Sequence, residues 1–112
     1  MPRYLLNVYQ PPGELPPERL EPIMRDVEAV RDDLKAAGGW VLTAGLLPPS
    51  ASRVVRADGE DTVVSDGPFT EAKEFVGGFT VMEADDEGAA LEWAGRFARA
   101  TTLPIEVRPL AG

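Results

Sequence analysis

Arg3-Tyr4-Leu5-Leu6-Asn7-Val8-Tyr9 is the stretch that decides the fold. Successive side chains of an extended segment point to opposite sides. Tyr4, Leu6 and Val8 therefore share one side, and Leu5, Asn7 and Tyr9 share the other. Both sides carry apolar atoms, so a strand over these residues has to be covered twice.

The segments that follow are the candidate covers. Gln10 to Pro17 holds four prolines and a glycine and reads as an irregular connection. From there apolar residues recur at Leu20, Ile23, Met24, Val27, Val30 and Leu34, the stripe of an amphipathic helix, with Arg25, Asp26, Glu28, Asp32, Asp33 and Lys35 on its wet side. Proline is at home only in a first helical turn. The regular helix is therefore expected to begin at Pro22, after a looser turn over Glu18 to Glu21, and to stop at Gly38-Gly39. Trp40 to Leu46 reads as a second strand with Trp40, Leu42, Ala44 and Leu46 on one face, closed by Pro48-Pro49. Ser52 to Ala57 and Glu60 to Ser65 flank Asp58-Gly59, a two-residue signature of a tight hairpin. A strand over Gly77 to Glu83 follows, and then a helix capped by Asp85 or Asp86. Its expected apolar face is Ala90, Leu91, Ala94, Phe97 and Ala98, with Trp93 at the margin. Ile105 to Arg108 forms a short last strand.

Hairpin aside, this order is the split βαβ pattern of ferredoxin-like α+β domains, with both helices on one face of an antiparallel sheet. The other face keeps an apolar set that soluble monomers seldom expose. A second copy is the expected cover. It gives a twofold homodimer through the sheet face, with a pocket between the sheets or at their rim.

Composition narrows the chemistry. The 112 residues fit one domain over 1–112. Nineteen acidic against eleven basic residues leave a net charge of -8, which repels phosphate backbones and anionic lipid. Nucleic acid and membrane surfaces are thus not expected as partners. The chain has no cysteine and no histidine. Disulfides, thiol catalysis, the usual neutral-pH base and the commonest metal ligands are absent with them, and neither a metal nor a cofactor is expected. No apolar run reaches the ~20 residues of a membrane span and no secretory leader is visible, which makes the cytoplasm the expected location.

One segment does not follow from packing: Asp66-Gly67-Pro68-Phe69-Thr70-Glu71-Ala72-Lys73-Glu74. Gly67-Pro68 fixes a turn at a strand end, and three charges sit beside a ring before strand character returns at Phe75. With the order of elements, this segment resembles the YCII-related family, in the subgroup named for its Asp-Gly-Pro-Phe motif and written DGPFAETKE. The motif departs from that pattern at Thr70 and Ala72 and keeps the rest. Tyr4-Leu5-Leu6, Ala36-Ala37-Gly38, Gly77-Gly78-Phe79, Ala89 to Ala94 and Val107-Arg108-Pro109 are similar to the family as well, so the likeness spans the chain. The resemblance implies a dimeric α/β barrel of paired ferredoxin-like sheets. Better-studied relatives have a proposed histidine and aspartate site, which a chain without histidine does not carry. Some relatives are joined to or encoded beside sigma factors of the extracytoplasmic-function type, which implies a regulatory partner.

Several residues carry two readings. Asp66 is a general base if Phe69 shields its carboxylate, or the anchor of the Gly67-Pro68 turn if it accepts backbone N–H groups. Glu71 and Lys73 share a side if the loop is extended, while Glu71 and Glu74 meet if it coils; an ion pair that merely orders the loop is the alternative. Asn7 and Tyr9 line a pocket on the covered sheet face, or Tyr9 ends the strand with its hydroxyl in water. Arg108 binds an anionic group or pairs with a neighbouring carboxylate. Two functions follow. One is a small-molecule site bordered by Asp66 to Glu74, where acid-base chemistry would use Asp66 as base, Lys73 or Arg108 to steady negative charge, and Phe69 to exclude water. The other is a non-catalytic regulatory protein with the motif as an assembly element.

Overall fold

The computed structural model describes all residues, Met1–Gly112. Its elements in order are β1 (Arg3–Gln10), α1 (Pro17–Ala36), β2 (Trp40–Gly45), β3 (Arg53–Asp58), β4 (Asp61–Asp66), β5 (Phe75–Glu83), α2 (Glu87–Thr101) and β6 (Ile105–Pro109). Strands β2, β5, β1 and β6 lie side by side in that order, every pair antiparallel. With β3 and β4 set aside as a separate two-stranded hairpin, this is the ferredoxin-like order expected for an α+β chain. No helix is long and apolar enough to cross a membrane.

The core lies between the sheet and its two helices. Tyr4 and Leu6 of β1, Met82 of β5, Val30 and Leu34 of α1, and Ala90, Ala94, Phe97 and Ala100 of α2 form one buried cluster. Three of the buried residues of α2 are alanines, and Asp86 starts the helix by accepting the Ala89 N–H at Oδ1, 2.9 Å away. Leu91, expected on the buried face of α2, is exposed; the buried positions 90, 94, 97 and 101 follow the helical period one step away from it.

Helix α1 begins five residues earlier than expected, at Pro17, which occupies the first-turn position in place of Pro22. Pro22 sits inside the helix. Its missing N–H leaves the Glu18 carbonyl unbonded, but both residues face solvent, where water serves that oxygen. The extra length overhangs the core. Leu20 and Met24 are exposed, and only Val30 and Leu34 of the expected stripe are fully buried.

Two local shifts alter the faces read from alternation. The pairing of β2 with β5 slips between Trp40 and Leu42. Trp40 therefore faces the helices, its indole N–H donating to Thr43 Oγ1 at 2.8 Å, and Thr43 in turn meets Thr80 Oγ1 at 3.1 Å. Leu42 and Ala44 turn to the opposite face, opposite Val81 and Phe79. A bulge of this kind adds one residue and inverts the alternation beyond it. In the hairpin, Asp58 pairs with Asp61, so Gly59-Glu60 is the turn and not Asp58-Gly59. Gly59 supplies the positive φ (64°) that such a turn demands.

The second sheet face has no helix on it. Leu5, Leu42, Phe79 and Val81 lie there, outside the core cluster. The molecule measures 47 × 40 × 19 Å, and its least dimension admits one sheet and one layer of helices only. Leu34→Ala empties a fully buried site and is expected to lower unfolding free energy by about 2–5 kcal/mol in urea titration, whereas Leu91→Ala should stay within about 0.5 kcal/mol.

Candidate functional site

The motif is held by a platform built one segment earlier in the chain. After β2, Leu46 N–H donates to the Gly77 carbonyl at 2.9 Å, tying the connection to the start of β5. Pro48 to Ser52 then closes a single 3-10 turn, with Ala51 N–H on Pro48 O (2.9 Å) and Ser52 N–H on Pro49 O (3.0 Å). The base of the hairpin rests on this turn. Arg53 pairs with Asp66 across the strands, and Gly67 N–H donates to Ser52 O at 2.9 Å. A side chain at Gly67 would crowd Ser52. A Cβ there would fall 2.1 Å from Ser52 Oγ and 3.1 Å from the Ser52 carbonyl carbon. The peptide between Gly67 and Pro68 is cis.

The turn is thus fixed by the Gly67 amide and not, as the anchoring reading of Asp66 had it, by the Asp66 side chain. The Asp66 carboxylate points away, 89% exposed, with Arg53 Nε 3.5 Å from it. An ion pair that open contributes at most ~1 kcal/mol. Phe69 does not shield Asp66. Its ring takes the Arg56 guanidinium instead, 5.0 Å from the centroid, and is itself 71% exposed.

Residues 67–74 form neither strand nor helix but a series of bends. Glu71, Lys73 and Glu74 are exposed on them and make no ion pair with one another or with other groups. The sheet residues form a separate group. Asn7 Nδ2 donates to Glu106 Oε1 at 3.2 Å and Arg108 Nη2 donates to the same oxygen at 2.9 Å, a polar row across β1 and β6 on the face without helices. Arg108 therefore has the neighbouring-carboxylate partner that one of its two readings foresaw. The edge strand β6 is the one farthest from β2, so Arg108 and the motif lie apart. Tyr9 comes nearer, because it pairs with Val76 at the start of β5.

What the motif does border is a cleft of about 650 Å³, open to solvent. Phe69 and Pro68 form one wall, Leu46, Leu47 and Pro49 another, with Val54 from the hairpin and Val76 from the sheet. Ser52 and Arg53 are its polar groups. Asp66, Glu71, Lys73, Glu74, Asn7, Tyr9 and Arg108 are not among its lining residues; of the residues proposed from sequence, Phe69 alone is. The wall contributed by Leu46-Leu47-Pro48-Pro49 was missed because the prolines read as a strand terminator. The signal was the paired leucines before them, since Leu47 ends 79% exposed.

The family model for the YCII-related domain matches residues 2–110 of this chain. The chain belongs to the YCII-related family. An uncharacterized protein of Rhizobium meliloti (strain 1021) is 38% identical to it over 96 residues, covering 84% of this chain and 77% of that protein. The YCII-related domain thus takes in the hairpin and the motif together with the two-layer body.

Two glycines of this region separate a rigid constraint from a soft one. At Gly77 a Cβ would meet the exposed Gln10 side chain from Oε1 to Cγ, which a rotation of that side chain relieves, whereas at Gly67 it meets Ser52 at Oγ, Cβ and the carbonyl carbon, a residue held in the 3-10 turn. Gly67→Ala is expected to speed tryptic cutting after Arg53 and Arg56 by about tenfold, as roughly 1–2 kcal/mol of local stability is lost. Gly77→Ala should leave the cutting rate within about twofold.

Proposed function

We propose that this protein is a cytoplasmic homodimer that binds a small, largely apolar molecule in the cleft between the Leu46–Ser52 connection and the Asp66 to Glu74 motif. The observation that carries the reading is the cleft's wall chemistry. Apolar and aromatic side chains surround a few polar groups, as in small-molecule sites generally, and Phe69 of the motif is one of those walls. Binding is favoured over acid-base catalysis because the charged residues of the motif face water outside the cleft. Asp66 pairs with Arg53, and Glu71, Lys73 and Glu74 have no partner that would orient them toward a reacting atom.

Arg53 gives the cleft a chemical preference. Its guanidinium donates to Ser52 O at 2.9 Å and retains donors for an anionic group on an apolar ligand. The homodimer part of the proposal is supported by the other side of the molecule. The sheet face of Leu5, Leu42, Phe79 and Val81 has no cover within the chain, and a second identical face is the cover that a closed twofold assembly supplies.

The probe 8-anilinonaphthalene-1-sulfonate, an aromatic anion, tests the cleft by fluorescence titration. Phe69→Ala should weaken its binding by about tenfold, a change of ~1.4 kcal/mol, and an affinity unchanged by that substitution sinks the proposal. The dimer has its own signature. Each chain carries a net charge of -8, so added salt should tighten association by screening the mutual repulsion. Sedimentation equilibrium across a salt series reads this out, and weakening with salt would be the contrary result.

A further inference from the structure

We infer that Asp66 is the anion with which the cleft's ligand competes: its carboxylate pairs with Arg53 in the free protein and yields that guanidinium to the acid group of an apolar ligand. The inference rests on the cleft reading given above and adds the residue that sets its preference for charge.

The lining of the cleft runs against the composition of the chain. Acidic residues outnumber basic ones by nineteen to eleven, yet the cleft is lined by no carboxylate and by one cation, Arg53. The groove along α1, by comparison, carries Glu21 and Glu28 beside Arg25. A second cation stands against the aromatic wall, since the Arg56 guanidinium lies 5.0 Å from the centre of the Phe69 ring. Positive charge in an apolar concavity raises the local concentration of anions. An apolar acid therefore gains from this cleft what its neutral counterpart does not.

Arg53 is firmly held on one side only. Its Nη1 donates to Ser52 O at 2.9 Å, which ties the guanidinium to the 3-10 turn in the cleft wall, and its other N–H groups donate to no atom of the chain. Asp66 stands opposite it across the hairpin, with Oδ1 3.5 Å from Arg53 Nε. That separation is within ion-pair range but exceeds the length of about 2.7–2.9 Å of a charge-assisted hydrogen bond. Both side chains are exposed, and a pair so long and so wet is a weak one. An acid group that makes two parallel bonds to the guanidinium displaces it. The backbone bond from Gly67 N–H to Ser52 O keeps the strand end in place whichever way the Asp66 side chain turns, and Asp66 does not line the cleft, so the exchange leaves the walls unaltered. A tethered carboxylate also acts at a high effective concentration. Small acids such as acetate lose to it, and only an acid whose apolar body fills the cleft prevails.

Two probes with one body read this out by fluorescence titration of the full chain: 8-anilinonaphthalene-1-sulfonate and N-phenyl-1-naphthylamine, which lacks the sulfonate. Asp66→Asn should tighten binding of the sulfonate about three- to fivefold and leave the neutral probe within about twofold. Arg53→Gln should weaken the sulfonate about threefold or more, and in that background Asp66→Asn should change nothing. Both side chains are exposed, so far-UV circular dichroism should be the same in all variants. An effect of Asp66→Asn that persists without Arg53 is a general field of charge and overturns the competition. Equal weakening of both probes by Asp66→Asn makes that residue a brace of the hairpin and overturns it as well. The cleft fails separately. If Phe69→Ala leaves both probes bound as before, the cleft falls and the inference with it, whereas weakening by Phe69→Ala with no change from Asp66→Asn keeps the cleft and removes the competition alone.

Discussion

A strand that is oily on both sides sets the terms for this molecule. β1 runs through the middle of the sheet between β5 and β6, and its even-numbered side chains Tyr4 and Leu6 are sealed by Val30 and Leu34 of α1 and by Phe97 and small alanines of α2. With both helices on that side, none is left for the other. The chain spends its remaining length on connections and on a hairpin that leaves the body, so the odd-numbered side, with Leu5 beside Phe79 and Val81, keeps only its neighbours for company.

The same economy explains how the motif is held. Gly67 docks against Ser52 through a backbone hydrogen bond and through the absence of a Cβ, so the motif's address is fixed by main-chain geometry and not by its charged side chains. Those side chains are consequently free for solvent, and Phe69 is left to stack on Arg56 across the hairpin. The cleft beside it arises where two proline-stiffened connections, Pro48-Pro49 and Pro68, come together at one end of the sheet.

Element order and strand order were legible because they follow from periodicity and from turn residues that have few alternatives. The pattern from Leu20 to Leu34 specified a helix, and Asp58-Gly59 specified a hairpin, one residue away from the turn that forms. Details decided by competition between equivalent residues were not legible. Pro17 and Pro22 both suit a first turn, and solvent exposure of the Glu18 carbonyl let the helix run through the second. The bulge between Trp40 and Leu42 has no sequence mark, and it exchanged the faces of half of β2. Asn7 was correctly set on the face opposite Tyr4, because alternation along β1 is unbroken up to Val8. The cleft was half legible: Phe69 stood out by composition, whereas the Leu46-Leu47 wall comes from a connection whose path only tertiary hydrogen bonds determine.

The placement of the chromophores has a practical consequence. Both tryptophans belong to the two-layer body, Trp40 beneath Lys35 at 4.4 Å and Trp93 beside Arg96 at 4.9 Å, and both tyrosines lie on β1. The ribbon and the motif contain only phenylalanine. Intrinsic emission and near-ultraviolet dichroism therefore watch the body alone, and a fraying ribbon passes unseen by both. A melting curve followed by tryptophan light would describe this protein as a single cooperative unit even when a third of its strands had already come apart.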